Sequence, residues 1–331
     1  MIKRIIRLVM PFALIFLAFS VFISGGIGRF FSGDDQNGDS LDVSARAEDD
    51  IFSVLVAGKD RVSSLADVIM LVSFNKTDDT ICVLQIPRDT YADYGNDNYY
   101  KINGALRTLG AQGMCDFFES SFGIHLNGYI CLDLEGFRNA VDAVGGVEVT
   151  IEKDLKYSDP SQGLYINLSK GRQVLDGKKA EMLVRYRSGY ARGDLDRLDT
   201  QKRFLLEMFL GLKKEVNLLN AYDLANTVLP YIESNIDASE LISVALFGIS
   251  VEDEDICFAT LPGEAAVSDI SGGSFFVMSK SSSKELIDRY FPTVGTNFDK
   301  DGAFLHTGIK KFKEIYDSEA ENDPFFIKDL K

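Results

Sequence analysis

The stretch IFSVLVAGKDRVSSLADVIMLVSFNKTDDTICVLQIPRDT, residues 51–90, decides the fold. It holds three apolar runs of strand length, Ile51 to Ala57, Val68 to Phe74 and Thr80 to Ile86. The first is aliphatic and aromatic apart from Ser53, the composition of a strand buried in a sheet. Asn75-Lys76-Thr77-Asp78-Asp79 joins the other two, and two β-rich runs around a short polar loop predict a hairpin.

Outward from these runs, strands are expected at Tyr129 to Leu134, Val147 to Ile151 and Asp255 to Leu261. Glu135 to Val144 reads as a helix ending at Gly145-Gly146, and Asp176 to Val184 as another. Over Arg197 to Lys214 the residues Phe204, Leu205, Met208, Phe209 and Leu212 recur at helical spacing, predicting a long amphipathic helix. Further helices are expected at Ala221 to Tyr231, Ala238 to Phe247, Ser283 to Tyr290 and Thr307 to Tyr316. Asn103 to Phe122 has mixed helical periodicity broken by Gly110 and Gly113. Strands alternating with helices, plus hairpins, predict an α/β fold: a three-layer α/β/α sandwich with a mixed central sheet.

The amino end carries a different signal. Lys3, Arg4 and Arg7 precede an uncharged stretch from Leu8 to Gly28 that is long enough, at ~1.5 Å per residue, to span a ~30 Å bilayer core. Acidic residues Asp34, Asp35, Asp39 and Asp42 follow it. The expected organisation is a cytoplasmic tip (1–7), one transmembrane helix (8–28) and an acidic linker (29–50). An extracytoplasmic domain (51–291) and a more polar C-terminal extension (292–331) complete it. A cleaved signal peptide is the rival reading, with Ser24-Gly25-Gly26 as its small-residue site. Localisation to the cell membrane as a single-pass protein with a cytoplasmic N-terminus follows from the first reading.

The formal net charge is −15, so the surface repels nucleic-acid phosphates and an anionic ligand needs a local cluster of cations. The two histidines, His125 and His306, lack ligand partners at metal spacing, and no P-loop, G-x-S-x-G elbow or H-E-x-x-H site is present. Cys82, Cys131 and Cys257 lie in apolar runs, and none of the four cysteines forms a C-x-x-C, which favours small core side chains. Any catalysis rests on carboxylates, arginines and a metal.

Four segments concentrate such groups: Gly58-Lys59-Asp60-Arg61, the strand opening at Asp67, Ile86-Pro87-Arg88-Asp89-Thr90, and Arg185-Tyr186-Arg187 with Asp194, Arg197 and Gln201 beyond. Ligands of open α/β sheets bind at the strands' carboxyl ends, which suits the first and third. If the chain is extended at 185–187, Arg185 and Arg187 point to one side. Arg197 and Gln201, four apart at a helix start, share a face near a positive helix end. A pyrophosphate suits such guanidinium groups, and Asp60 and Asp67 offer hard oxygens for Mg²⁺. Taken singly, each residue also reads as half of an ordinary surface ion pair.

These motifs resemble the LytR-CpsA-Psr family of bacterial envelope proteins. The resemblance runs from about Phe52 to Arg203, and weakly through Leu261-Pro262-Gly263. It comprises G-x-D (Gly58, Asp60), the Asp67 strand, I-P-R-D-T (86–90), K-I-N (101–103), D-A-V-G-G-V (142–147), G-x-x-x-L-D-G (171–177), R-Y-R (185–187) and D-x-x-R-x-x-x-Q (Asp194, Arg197, Gln201). It implies the family's fold and a Mg²⁺-dependent phosphotransferase that moves an anionic glycopolymer from an undecaprenyl-pyrophosphate carrier to peptidoglycan. It further implies that Arg88, Arg185, Arg187, Arg197 and Gln201, with Lys101, hold the pyrophosphate. Asp60 and Asp67 bind Mg²⁺ in this reading, and Asp194 and Arg88 are catalytic. The carrier's prenyl chain calls for an apolar tunnel. An arginine that the family often places two residues before the strand-opening aspartate is Leu65 here, with Arg61 nearby. A hydrolase of the lipid pyrophosphate and a non-catalytic envelope glycan- or lipid-binding module are the alternatives.

Overall fold

The structure is a computed structural model that describes residues 51–60, 63–95, 100–160, 164–186, 194–215, 229–294, 298–320 and 324–326. Its elements begin with strands β1 (Ile51–Lys59), β2 (Ala66–Asn75) and β3 (Thr80–Gln85), then helix α1 (Ala105–Phe122). β4 (Gly128–Asp133), α2 (Leu134–Ala143), β5 (Val147–Ile151), β6 (Leu155–Asp159), β7 (Leu164–Leu168) and β8 (Gly171–Leu175) follow. Next come α3 (Gly177–Arg185), α4 (Asp194–Glu215), β9 (Ile232–Ser234) and α5 (Ala238–Ser250). The chain continues through β10 (Ile256–Thr260), β11 (Gly263–Val267), β12 (Ser274–Met278), α6 (Lys280–Tyr290), α7 (Lys310–Tyr316) and β13 (Phe325–Phe326).

Seven strands form one sheet in the order β13-β10-β3-β2-β1-β4-β9. The expected hairpin is β2–β3, antiparallel from Met70 opposite Gln85 to Asn75 opposite Thr80. β1 runs antiparallel to β2 and parallel to β4, and β3 runs parallel to β10, so the sheet is mixed as the pattern predicted. Alternate side chains of β1 enter different cores: Val54 and Val56 pack with residues of α2, α3, α4 and α5, whereas Leu55 and Ala57 pack with α1, α6 and α7. Helices thus cover both faces of the sheet, and β1 is buried on each side.

β1, β3, β4 and β10 all point the same way, so their carboxyl ends share one margin of the sheet with the start of β2. At that margin the register shifts: Gly58 faces Val68 and Lys59 faces Ala66, which leaves Asp67 as the extra residue of a β-bulge. Bulges re-aim side chains, and this one sets a carboxylate where four strands end.

Some expectations shift in detail. Gly110 takes φ 74°, ψ 178°, so two helical segments meet at a kink there within α1 as the broken periodicity suggested, whereas Gly113 stays helical. Leu229 to Tyr231, at the end of a helix expected from Ala221, is a 3-10 turn, and residues 221–228 lie outside the described residues. The last helix begins at Lys310 rather than Thr307. The segments expected to be a transmembrane helix and a linker (8–28 and 29–50) also lie outside the described residues, among which no helix is long and apolar enough to cross a membrane. Phe298, Phe304, Ile309, Phe312 and Ile315, in the segment set apart on composition as a C-terminal extension, share a core with α1 and α6. All four cysteines are free and buried, as the apolar runs around Cys82, Cys131 and Cys257 suggested for those three.

Candidate active site

A cleft of about 670 Å³, counted with its open mouth, lies at the margin where the strands end. Val56, Met70, Leu132, Phe137, Phe204 and Leu205 give it apolar walls, and Lys59, Asp60, Asp67, Asp133 and Gln201 supply its polar groups. Its depth favours hydrocarbon, while the charged groups stand where β1, β2 and β4 meet the loops.

The loop from Asp60 to Leu65 is closed by its own hydrogen bonds. Asp60 Oδ1 accepts from the Ser63 amide at 2.6 Å and from Ser63 Oγ at 2.8 Å, and the Asp60 amide donates to Leu65 O at 2.9 Å. Leu65 is half-buried; Arg61, the nearby guanidinium, lies outside the described residues. Asp67 Oδ1, at the bulge, is paired with Arg88 Nη1.

Arg88 follows β3, and Asp89 accepts from Lys101 Nζ at 3.0 Å. The two motifs that carry Arg88 and Lys101 are stitched through backbone: Ile102 N donates to Thr90 O at 2.9 Å and Asn103 N to Arg88 O at 3.2 Å. The I-P-R-D-T and K-I-N segments therefore form one platform with the charge order Asp67, Arg88, Asp89, Lys101.

Gln201 lies in the cleft wall and is only 4% exposed. Its Oε1 accepts from Gln85 Nε2 at 3.1 Å and its Nε2 donates to Val184 O at 3.1 Å, tying α4 to β3 and α3. Arg197, one turn earlier on α4, is 2% exposed. Arg185 closes helix α3 rather than lying in an extended segment, because the helical pattern from Gly177 persists to that residue. Its Nη1 donates to Glu181 Oε1 at 2.8 Å, one turn back, and Glu181 Oε2 accepts from Arg138 Nη1 at 2.9 Å. Arg187 lies outside the described residues, and Asp194 is the first residue of α4 with its side chain outside them.

Asp60, Asp67 and Gln201 thus share the cleft, Arg88 reaches it through Asp67, and Lys101 stands one carboxylate further on. Sequence reasoning quoted Lys59 within its first segment without giving it a role and missed Asp133; the two are register partners at the ends of β1 and β4. Each sits last in an apolar strand, the only signal that Asp133 gave. Asp133 also caps α2 by accepting from Gly136 N at 2.8 Å. Lys202 was missed as well; its Nζ donates to Thr260 Oγ1 at 3.0 Å and so binds α4 to the end of β10.

Two resemblance motifs prove architectural. Asp142 Oδ1 accepts from Gly177 N at 2.7 Å, and a Cβ on Gly177 would stand 2.2 Å from Arg138 O. Asp176 caps α3 by accepting from Lys179 N at 2.8 Å. These contacts allow α2 and α3 to cross closely and set Arg138 beside Glu181.

As to Mg²⁺, no group of three or more His, Cys, Asp or Glu side chains suited to a metal occurs among the described residues. Mg²⁺ commonly takes only one or two carboxylates and fills its shell with water and phosphate oxygens, so Asp60 and Asp67 on one cleft fit it as a substrate-assisted site.

Fold and cleft together define the class: a mixed-sheet α/β protein with an apolar-walled, charge-rimmed cleft at the strands' carboxyl ends. The chain belongs to the LytR_cpsA_psr family, whose model matches residues 31–291. Among its relatives, a polyisoprenyl-teichoic acid–peptidoglycan teichoic acid transferase, TagU, from Oceanobacillus iheyensis is 34% identical over 48% of this chain and 50% of its own length. This chain therefore spans about half of that relative. The regulatory protein MsrR of Staphylococcus aureus is 29% identical over 71% of this chain and 73% of its own. The crystal structure of Bacillus subtilis TagV superposes with a TM-score of 0.61 at 23% identity, covering 72% of this chain and 94% of that one, and shows the shared fold.

Proposed function

We propose that this chain is a phosphotransferase that moves an anionic glycopolymer from an undecaprenyl-pyrophosphate carrier to peptidoglycan. The observation that carries the reading is the cleft itself: apolar walls ending at a rim where Asp67 is paired with Arg88. A prenyl pyrophosphate has the same division, and each methylene buried along Val56, Met70, Phe137 and Phe204 contributes ~0.8 kcal/mol. The names of relatives such as TagU point the same way.

In this reading Arg88, Arg185, Arg187, Arg197, Gln201 and Lys101 gather round the pyrophosphate, with guanidinium groups donating to its oxygens. Asp60 and Asp67 hold Mg²⁺, which when bound offsets phosphate charge. An acceptor sugar hydroxyl attacks the phosphorus next to the glycan and loses its proton to Asp194. The new P–O bond forms as the P–O–P bridge breaks, and polyprenyl phosphate leaves. Phosphoryl transfer asks mainly for positioning and charge compensation, which a preorganised rim supplies. The proposed setting is the outer face of the cell membrane, with residues 8–28 as a single span.

The test uses the full chain in detergent with a polyprenyl-pyrophosphate oligosaccharide, peptidoglycan fragments and Mg²⁺, followed by mass spectrometry. A joined product that depends on Mg²⁺ and falls on the order of 100-fold or more in Arg88→Ala is expected. Free glycan phosphate alone would make the protein a hydrolase, and intact bound lipid would make it a binding module.

A further inference from the structure

Beside the charge platform lies a group of rings that the pyrophosphate chemistry does not use. Tyr91 is buried and stacks on Tyr100 at 5.6 Å and 16°. Phe275 meets Tyr91 edge-on at 5.9 Å, and His306 meets Tyr91 at 5.6 Å and Tyr100 at 6.4 Å. Tyr100, Phe275 and His306 are half-buried, in contrast to Tyr91. Lys101 Nζ stands 5.5 Å from the Phe275 ring while bonded to Asp89, and Asp89 is the neighbour of Arg88 in sequence. Phe276 N also donates to Asp89 O at 2.9 Å, which fixes the β12 aromatics against the platform.

Two of the rings, His306 and Phe312 beneath Phe275, come from beyond residue 291, where the match to the family ends. Aromatic faces next to a carboxylate and an ammonium are what a pyranose ring calls for. Its C–H face packs on an aromatic, and its hydroxyls bond to charged groups at the edge.

We propose that Tyr100, Phe275 and His306, edged by Asp89 and Lys101, form a saccharide subsite beside the phosphate platform, completed by the C-terminal segment. The inference rests on the glycopolymer reading and adds where a sugar ring sits. The sugar belongs either to the carried glycan or to the peptidoglycan acceptor, which share this chemistry.

The experiment measures binding to the full chain in detergent by titration calorimetry with two probes. The first is the phosphate-free tetramer of β-1,4-linked N-acetylglucosamine, standing for the acceptor. The second is a short-chain prenyl pyrophosphate carrying a disaccharide, set against the same pyrophosphate without sugar. Tyr100→Ala and His306→Ala are expected to weaken one probe's sugar-dependent affinity about three- to tenfold. Tyr100→Phe and His306→Phe should restore it, since the ring face is retained.

Weakening of the tetramer alone identifies the acceptor, and loss of the disaccharide increment alone identifies the carried glycan. Unchanged affinities in the folded alanine variants, or no sugar-dependent binding by the wild type, would overturn the proposal. Tetramer binding that survives Arg88→Ala keeps this test separate from the transferase reading, which fails on product formation.

Discussion

At the residue scale, the informative positions are those where geometry tolerates one choice. Gly177 is such a place: its missing Cβ lets Arg138 O approach, and an added methyl would meet the backbone at 2.2 Å. Gly177→Ala is therefore expected to destabilise by about 1–3 kcal/mol, the usual range for overpacking a tight contact. Urea unfolding monitored by circular dichroism checks it, and a loss below ~0.5 kcal/mol would mean that α2 separates from α3 without strain. Sequence marked this glycine as part of a motif without revealing that the motif serves a helix crossing. Arg88 and Asp67 were legible as candidates because each lies at the end of an apolar run. Their direct pairing was not legible, since it depends on the bulge at Asp67.

At the element scale, α4 is the part most exactingly placed. The spacing of Arg197 and Gln201 showed that they share a face. That the face looks toward Gln85 depends on a contact across 116 residues, which no local pattern carries. The hint was Gln85 itself, a polar side chain inside the buried run Ile81 to Ile86, where a partner was required. Removing either amide strands its partner in a buried site, so Gln85→Ala and Gln201→Ala should each cost about 1–3 kcal/mol. In a double-mutant cycle by chemical denaturation, a coupling of about 0.5–3 kcal/mol is expected. Additive losses would show that the two glutamines do not hold the helix to the sheet. Strands β6 to β8 and β11 to β12, five residues each in two-stranded sheets, escaped the sequence reading, although β5 of the same length did not.

At the scale of the whole molecule, the joint that matters runs through Asp299. It is 1% exposed. Its carboxylate accepts from Tyr316 Oη at 2.5 Å, its amide donates to Ser121 O at 2.5 Å, and its carbonyl accepts from Lys280 Nζ at 3.0 Å. It thus joins the end of α1, the start of α6 and the end of α7. Burial raises its carboxyl above the ordinary 3.8, with Tyr316, the Phe304 amide and Lys280 pulling the other way. A raised folded-state value means that the native protein holds this proton when the unfolded chain has released it. Stability from this group is complete below the unfolded value and declines as pH rises from about 4 through the folded value. Asp299→Asn removes the titration, so the stability difference, wild type minus variant, should fall as pH rises from 4 to 7. Denaturation midpoints at several pH values measure it, and a pH-independent difference would show that burial does not perturb Asp299. Nothing in the polar composition after Pro292 disclosed that this segment shares a core with the rest, because its apolar anchors are single residues spaced between charges.

The direction of β1 has a consequence for how the body would hang from the proposed membrane span. Nine residues at ~3.3 Å each carry β1 about 30 Å from Ile51 to the cleft margin, so the chain enters at the far end of the sheet from the mouth. With residues 8–28 in the bilayer as proposed, a body suspended by its shortest path would present the end of the sheet opposite the mouth to the lipid. Residues 29–50 reach at most ~75 Å at ~3.4 Å apiece, over twice the height of the sheet. If residues 8–28 span the bilayer as proposed, that length would let the body capsize and bring its mouth down onto the lipid surface.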